Sequence, residues 1–179
     1  NRKMNFYSDI NNTDSQGLVG DNYTSAIGLM ANTDDYKFNV LTTPGLINAN
    51  ALQTSAISTA ISNTQARGDS MFVVDLVNYD TALATVTTQA AGFDSSYAAA
   101  YWPWVQVIDP NTAEIVWVPA STMIPGVYAF TDASSDPWFA PAGITRGALG
   151  QVIRAERRLT VSNRDTLYEA NVNPIATFP

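Results

Sequence analysis

Apolar positions in this chain repeat with two different periods, and the changes of period mark its elements. Residues 1–22 are polar and turn-forming, rich in Asn and Asp. From Tyr23 to Asn32, Ala26, Ile27, Met30 and Ala31 fall at helical spacing, with Thr24 or Ser25 available as a cap. Phe38–Thr43 reads as a short strand stopped by the turn dipeptide Pro44-Gly45. A helix is predicted from about 50 to 66, its stripe made of Leu52, Ala56, Ile57, Ala60 and Ile61, with Gly68 as its stop. Met71–Val77 is a nearly continuous apolar run, which suits a strand covered on both faces in the middle of a parallel sheet.

Asp80-Thr81 can cap a further helix through about Ala91, with Leu83, Val86 and Ala90 inward. Trp104–Ile108 and Glu114–Val118, joined by DPNTA, read as a β-hairpin. Pro119 can open a helix whose apolar side is Met123, Ile124, Val127 and Phe130, and Pro125 should kink it or shorten its first turn. From about Leu149 to Val172 the pattern again reads as helical, with a break near Ser162-Asn163. Strands alternating with helices predict an α/β fold, a mostly parallel sheet with an added hairpin and a helical C-terminal exit. The expected organisation is a polar lead-in over 1–22, one α/β domain over 23–147 and a helical passage over 148–179. The chain starts on Asn and stops at NPIATFP, and we expect it to be a piece of something longer.

Composition narrows the functions. The net charge of −7 argues against a nucleic-acid partner, since phosphate contacts need clustered Lys and Arg. No apolar run approaches the roughly 20 residues of a membrane helix, so no membrane partner is expected. With no Cys and no His, disulfides, thiolate chemistry, Ser-His-Asp catalysis and ordinary zinc sites are all excluded within these 179 residues. No metal, cofactor or catalytic residue is expected.

The remaining candidates are few. Asp75 lies near the C-terminal end of the central strand, where open α/β sheets place ligands. It reads as a strand-end carboxylate bonding backbone N–H groups, or, in a rival hydrolase reading, as a site residue beside Ser70. Asp34-Asp35 and Asp132 with Asp136 read as caps and solvated turns. The Asn- and Asp-rich stretch Asp9–Asp14 lacks the Gly and terminal Glu of a calcium loop. A third reading makes Tyr101, Trp102 and Trp104 exposed aromatics of a glycan- or receptor-binding face. Five of the nine basic residues are Arg between Arg146 and Arg164. Arg154, Arg157 and Arg158 are spaced to share one helical face that docks carboxylates of a neighbouring subunit, with Glu156 pointing elsewhere, or else is simply solvated. The segment WFAPAGITRG (138–147) carries two large aromatics and no reactive group. Burial of Trp138 and Phe139 would pin it as a junction; alternatively Trp138, with Arg146, faces a neighbouring subunit.

Taken together, the motifs FNVLTTPGL, ARGDSMFVVDLV, WVQVIDPNTAEIVWVPASTMIPGVYAFTDASSDPWFAPAG and RDTLYEANVNPI resemble, in that order, the core of contractile phage tail sheath proteins. The likeness runs from about Tyr23 to the end, and Ala133-Ser134-Ser135 departs from it where many relatives carry charged residues. The resemblance implies a three-layer α/β domain resembling subtilisin without protease activity. It also implies a structural virion protein, assembled in the host cytoplasm, that polymerises with itself around a tail tube and contracts. Its implied partners are other copies, the tube, the baseplate and the tail terminator.

Overall fold

The strand predicted from MFVVDLV sets the architecture. In the computed structural model, which describes residues 20–136 and 138–178, β2 (Met71–Asp75) lies between β1 (Val40–Ile47) and β3 (Ala98–Trp102), and β7 (Val172–Pro174) pairs with β3 on the far side. All three pairings are parallel. Side chains alternate across the sheet because the period of a strand is two. Phe72 and Val74 enter a large core with α1 (Gly20–Leu29), α2 (Thr54–Arg67), α3 (Leu83–Ala90) and α6 (Val161–Glu169). Val73 turns to the opposite face and packs with Ala120 and Ile124, under the 3₁₀ turn Ala120–Thr122 and α4 (Ile124–Ser134). Helices therefore cover both faces of a parallel sheet, as the continuous apolar run requires. Full burial of one side chain the size of Phe72 stabilises by about 1.5–3 kcal/mol, so these two faces carry much of the fold.

A second sheet stands apart, antiparallel, in the order β5-β4-β6. The expected hairpin is present as β4 (Val105–Ile108) and β5 (Ile115–Val118), with Ile108 opposite Ile115. The third strand, β6 (Val152–Ala155), corrects the sequence reading: the stretch expected to be helical from 149 holds a strand, a loop and only then α6. Strand β6 forms because it pairs with β4 about fifty residues away, a tertiary effect that outweighs local spacing. The exit is thus not a helix throughout, and its last strand, β7, joins the main sheet. Thr160 caps α6, its side-chain oxygen accepting from the Asn163 N–H at 3.2 Å.

Of two prolines the sequence singles out, one departs from its reading and the other takes one of its two expected courses. Pro44-Gly45 does not end β1, which continues to Ile47 with an irregularity between Thr42 and Ile47. The strand is at the sheet edge, where a missing N–H costs no ladder bond. Pro125 falls in the first turn of α4, preceded by the separate 3₁₀ turn, so it shortens the helix instead of kinking it. Leu52 is exposed and sits before α2, outside the stripe assigned to it, and Phe130 is likewise exposed on α4. The polar lead-in lies almost wholly outside the described residues, and so does Asp9–Asp14.

Candidate functional site

In a parallel α/β sheet the C-terminal strand ends normally open onto a ligand crevice. Here the place beyond β2 is filled. After β2 the chain turns at Asp80, whose φ of 59° is left-handed, and Tyr79 packs at 6.0 Å edge-on to Trp104 and at 5.1 Å to Trp117. Trp104 Nε1 donates to the Val77 carbonyl at 3.0 Å. The Glu156 carboxylate, almost fully buried, accepts from the backbone N–H of Asp80 at 2.9 Å and of Trp104 at 3.3 Å, with Arg157 3.5 Å away. Glu156 therefore turns toward Arg157, contrary to the sequence reading, and its burial pushes its carboxyl above the ordinary range. Arg157 also bonds the Asp80 carboxylate at 2.9 Å and lies over Trp102. The antiparallel sheet is thus sealed against the strand ends by an aromatic and charged plug.

Asp75 behaves as the strand-end carboxylate the sequence suggested. It accepts from Ser121 twice, from the backbone N–H at 3.2 Å and from the hydroxyl at 2.5 Å. Both residues are buried, and desolvation raises the Asp75 carboxyl from 3.8 to about 7. The pair ties β2 to the turn that leads into α4. The rival pairing with Ser70 is not formed. Ser70 precedes β2 at its N-terminal end, some 16 Å from Asp75 at about 3.3 Å per residue. The serine that does meet Asp75 was missed, since nothing local in VPAS points 46 residues back. The glycan-face reading also fails on burial: Trp102 and Trp104 are 2% and 3% exposed, and the half-buried Tyr101 bonds the Tyr128 hydroxyl at 2.8 Å.

The Arg residues do not share a helical face. Arg154 is on β6, where its Nε donates to Gln106 Oε1 at 2.8 Å and its guanidinium lies over Trp117. Arg157 and Arg158 lie in the loop between β6 and α6, and only Arg157 joins the plug. Arg146 ends the short helix α5 (Gly143–Arg146), stacks over Phe139 and donates to the Ala140 carbonyl at 3.2 Å. The segment 138–147 is held by its backbone, with Thr131 Oγ1 donating to the Arg146 carbonyl at 3.1 Å, and not by buried aromatics. Trp138 is 77% exposed and Ile144 81% exposed. What the segment does is present apolar side chains to the outside.

Between α4, α5, β6 and the tail after β7 runs a groove of about 710 Å³. Its walls are mostly apolar, including Ile144, Leu149, Ile153 and Phe178, and its charged lining residues are Arg154 and Arg164. Among the described residues no carboxylate lines it, and none lines the smaller hollow beside it at Arg158, Leu159 and Val161. Among the described residues no group of three or more metal-ligating side chains converges anywhere.

The sequence model of the family described as "Phage tail sheath protein central domain" matches residues 16–179. The chain belongs to this family. Two curated relatives of this sheath domain are the tail sheath protein of Vibrio phage KVP40, 34% identical over 106 residues, and that of Enterobacteria phage T4, 34% identical over 103 residues. Those alignments take in 59% and 58% of the sheath domain but only 14% and 16% of the two relatives. The chain therefore aligns with only about a seventh to a sixth of the length of these curated relatives. In this sheath domain the C-terminal end of β2 is plugged, while the groove on the α4–β6 side, which takes in Tyr101, Asn173 and Pro174 at the ends of β3 and β7, carries the exposed Ile144, Ile153 and Phe178.

Proposed function

We propose that this chain is part of a structural subunit of a contractile tail sheath, a virion protein that works through contacts with copies of itself and carries out no catalysis. The observation that carries this reading is the family match across residues 16–179, with relatives described as tail sheath proteins. The plugged end of β2 and the buried Asp75–Ser121 pair support it, because they give the end of the central strand to packing. In this reading the subunit polymerises around a tail tube and meets baseplate and terminator proteins at the two ends, after assembly in the host cytoplasm. Of residues 148–179, β6, α6 and β7 pack within the fold, so in this reading the passage toward further sheath structure belongs to the chain after β7.

Contraction would be a switch between two sets of subunit contacts, the first metastable, with no bound cofactor. A difference of only ~1–3 kcal/mol per subunit, the size of an ordinary coupling energy, suffices when it is summed over many copies. Trp138 and Arg146 on the 138–147 segment, and Arg154, Arg157 and Arg158 around β6, are the residues we assign to neighbour contacts. Immunogold electron microscopy of the virus particles with antibody against residues 20–178 tests the assignment. Label along the length of the tail is expected; label confined to the capsid or absent from particles would overturn it.

A further inference from the structure

The molecule carries a projection that matches its groove. The β4–β5 hairpin ends in a turn fixed by its own hydrogen bonds: the Asp109 carboxylate accepts from the Asn111 N–H at 2.9 Å and from the Thr112 hydroxyl at 2.7 Å. The Ala113 N–H donates to the Asp109 carbonyl at 2.8 Å, and Ala113 takes a left-handed φ of 57°. At the base of this turn Ile108 and Ile115 sit opposite each other on adjacent strands, 56% and 59% exposed, with the exposed Glu114 next to them. The two isoleucines side by side form a small apolar patch beside an acidic side chain. None of these tip residues lines the groove of its own chain.

The groove is the complement of that tip. It is concave and apolar, and its charged lining residues, Arg154 and Arg164, are cations in a chain whose net charge is −7. The hairpin end is a polar, anionic turn with an apolar pair, Ile108 and Ile115, at its base. Building on the sheath reading, we propose that the β4–β5 hairpin tip of one copy seats in the groove between α4 and β6 of the next copy. Ile108 and Ile115 meet the apolar walls, and Glu114 meets the Arg154 and Arg164 side of the groove. Opposite potentials fix orientation and suppress wrong pairings in such contacts. Where each copy passes its tip on to the next copy and does not exchange tips with a single partner, as a growing sheath requires, the contact is head-to-tail. Repetition of a head-to-tail contact generates rings or open helical filaments and never a closed two-fold dimer.

Cross-linking in the intact protein reads this contact. The 179 residues contain no Cys, so introduced thiols are the only ones in this region. One population carries Ile115→Cys or Ile108→Cys and a second carries Ile144→Cys or Ile153→Cys; the two are mixed, assembled and oxidised. A disulfide demands Cα atoms within about 7 Å, so it forms only if the tip enters the groove. The expected result is a cross-linked heterodimer in at least one tip–groove mixture and in neither population alone. In parallel, Glu114→Arg should weaken association by about tenfold, with recovery when the partner copy carries Arg164→Glu. Tubes that form normally with no cross-link from any of the four combinations would overturn the tip–groove contact and leave the sheath reading standing. If the unsubstituted protein forms no tubes, the sheath reading fails and this contact fails with it.

Discussion

Asp75 shows what one residue does in this domain. Its carboxyl is buried, held by the N–H and hydroxyl of Ser121, and no cation pairs with it among the described residues. The folded protein therefore keeps the proton up to about pH 7, while the unfolded chain releases it near pH 4. Between those values the unfolded state binds fewer protons, so stability falls as pH rises and levels off above about pH 7. Asp75→Asn removes that penalty and can keep both contacts, its Oδ1 accepting from the Ser121 N–H and its Nδ2 donating to Oγ. Urea melts of both proteins should show the variant gaining on the wild type by a few kcal/mol from about pH 4 to about pH 7, at about 1.4 kcal/mol per unit. A wild type that gains on the variant over that range would refute the buried, proton-holding carboxyl. The residue was legible as a strand-end acid because β2 is so plainly apolar. Its partner was not legible, since Ser121 reaches it only because the 3₁₀ turn Ala120–Thr122 folds back onto the sheet.

The helices and central strands follow local pattern where a face is buried, and the misreadings occur where a distant partner decides. Strand β2 and helix α2 were predictable from an unbroken apolar run and a 3.6-residue stripe, both set by cores on fixed sides. Strand β6 was not, because four residues at a sheet edge carry too little pattern and the Arg154, Arg157, Arg158 spacing imitates a helical face. Similarly, Pro44-Gly45 was a sound turn signal overruled by an edge position in the sheet. The 138–147 segment owes its course to tight backbone: Gly143 has a φ of 78°, and a Cβ on Gly147 would stand 2.8 Å from the Ala142 Cα and 2.9 Å from its carbonyl carbon. Backbone atoms cannot rotate aside, so Gly147→Ala should displace the turn at a cost of about 1–3 kcal/mol. Hydrogen exchange should rise around residues 138–149 and stay unchanged in β2 and β3. Unaltered exchange in the turn would contradict the close approach.

At the scale of the molecule, the end of β2 is plugged while apolar side chains are left outside in and beside the groove on the α4–β6 side. Trp138→Ser and Ile144→Asp alter residues that carry little burial, so each should change stability by no more than about 0.5 kcal/mol. The same substitutions should lower self-association sharply by sedimentation velocity, because a Trp at the centre of a contact is often among its strongest anchors. Loss of folding with no change in association would reverse that assignment. The sequence indicated this division of labour by its missing imidazole and thiol, but in it WFAPAGITRG reads first as a buried junction, and it does not show which surfaces pair, since that depends on where separate elements meet in space. Negative-stain electron microscopy of the intact purified protein is the most direct measurement. Self-contact as the working principle predicts tubes or stacked rings that lengthen with concentration; single particles of one subunit's size at every concentration and salt would contradict it.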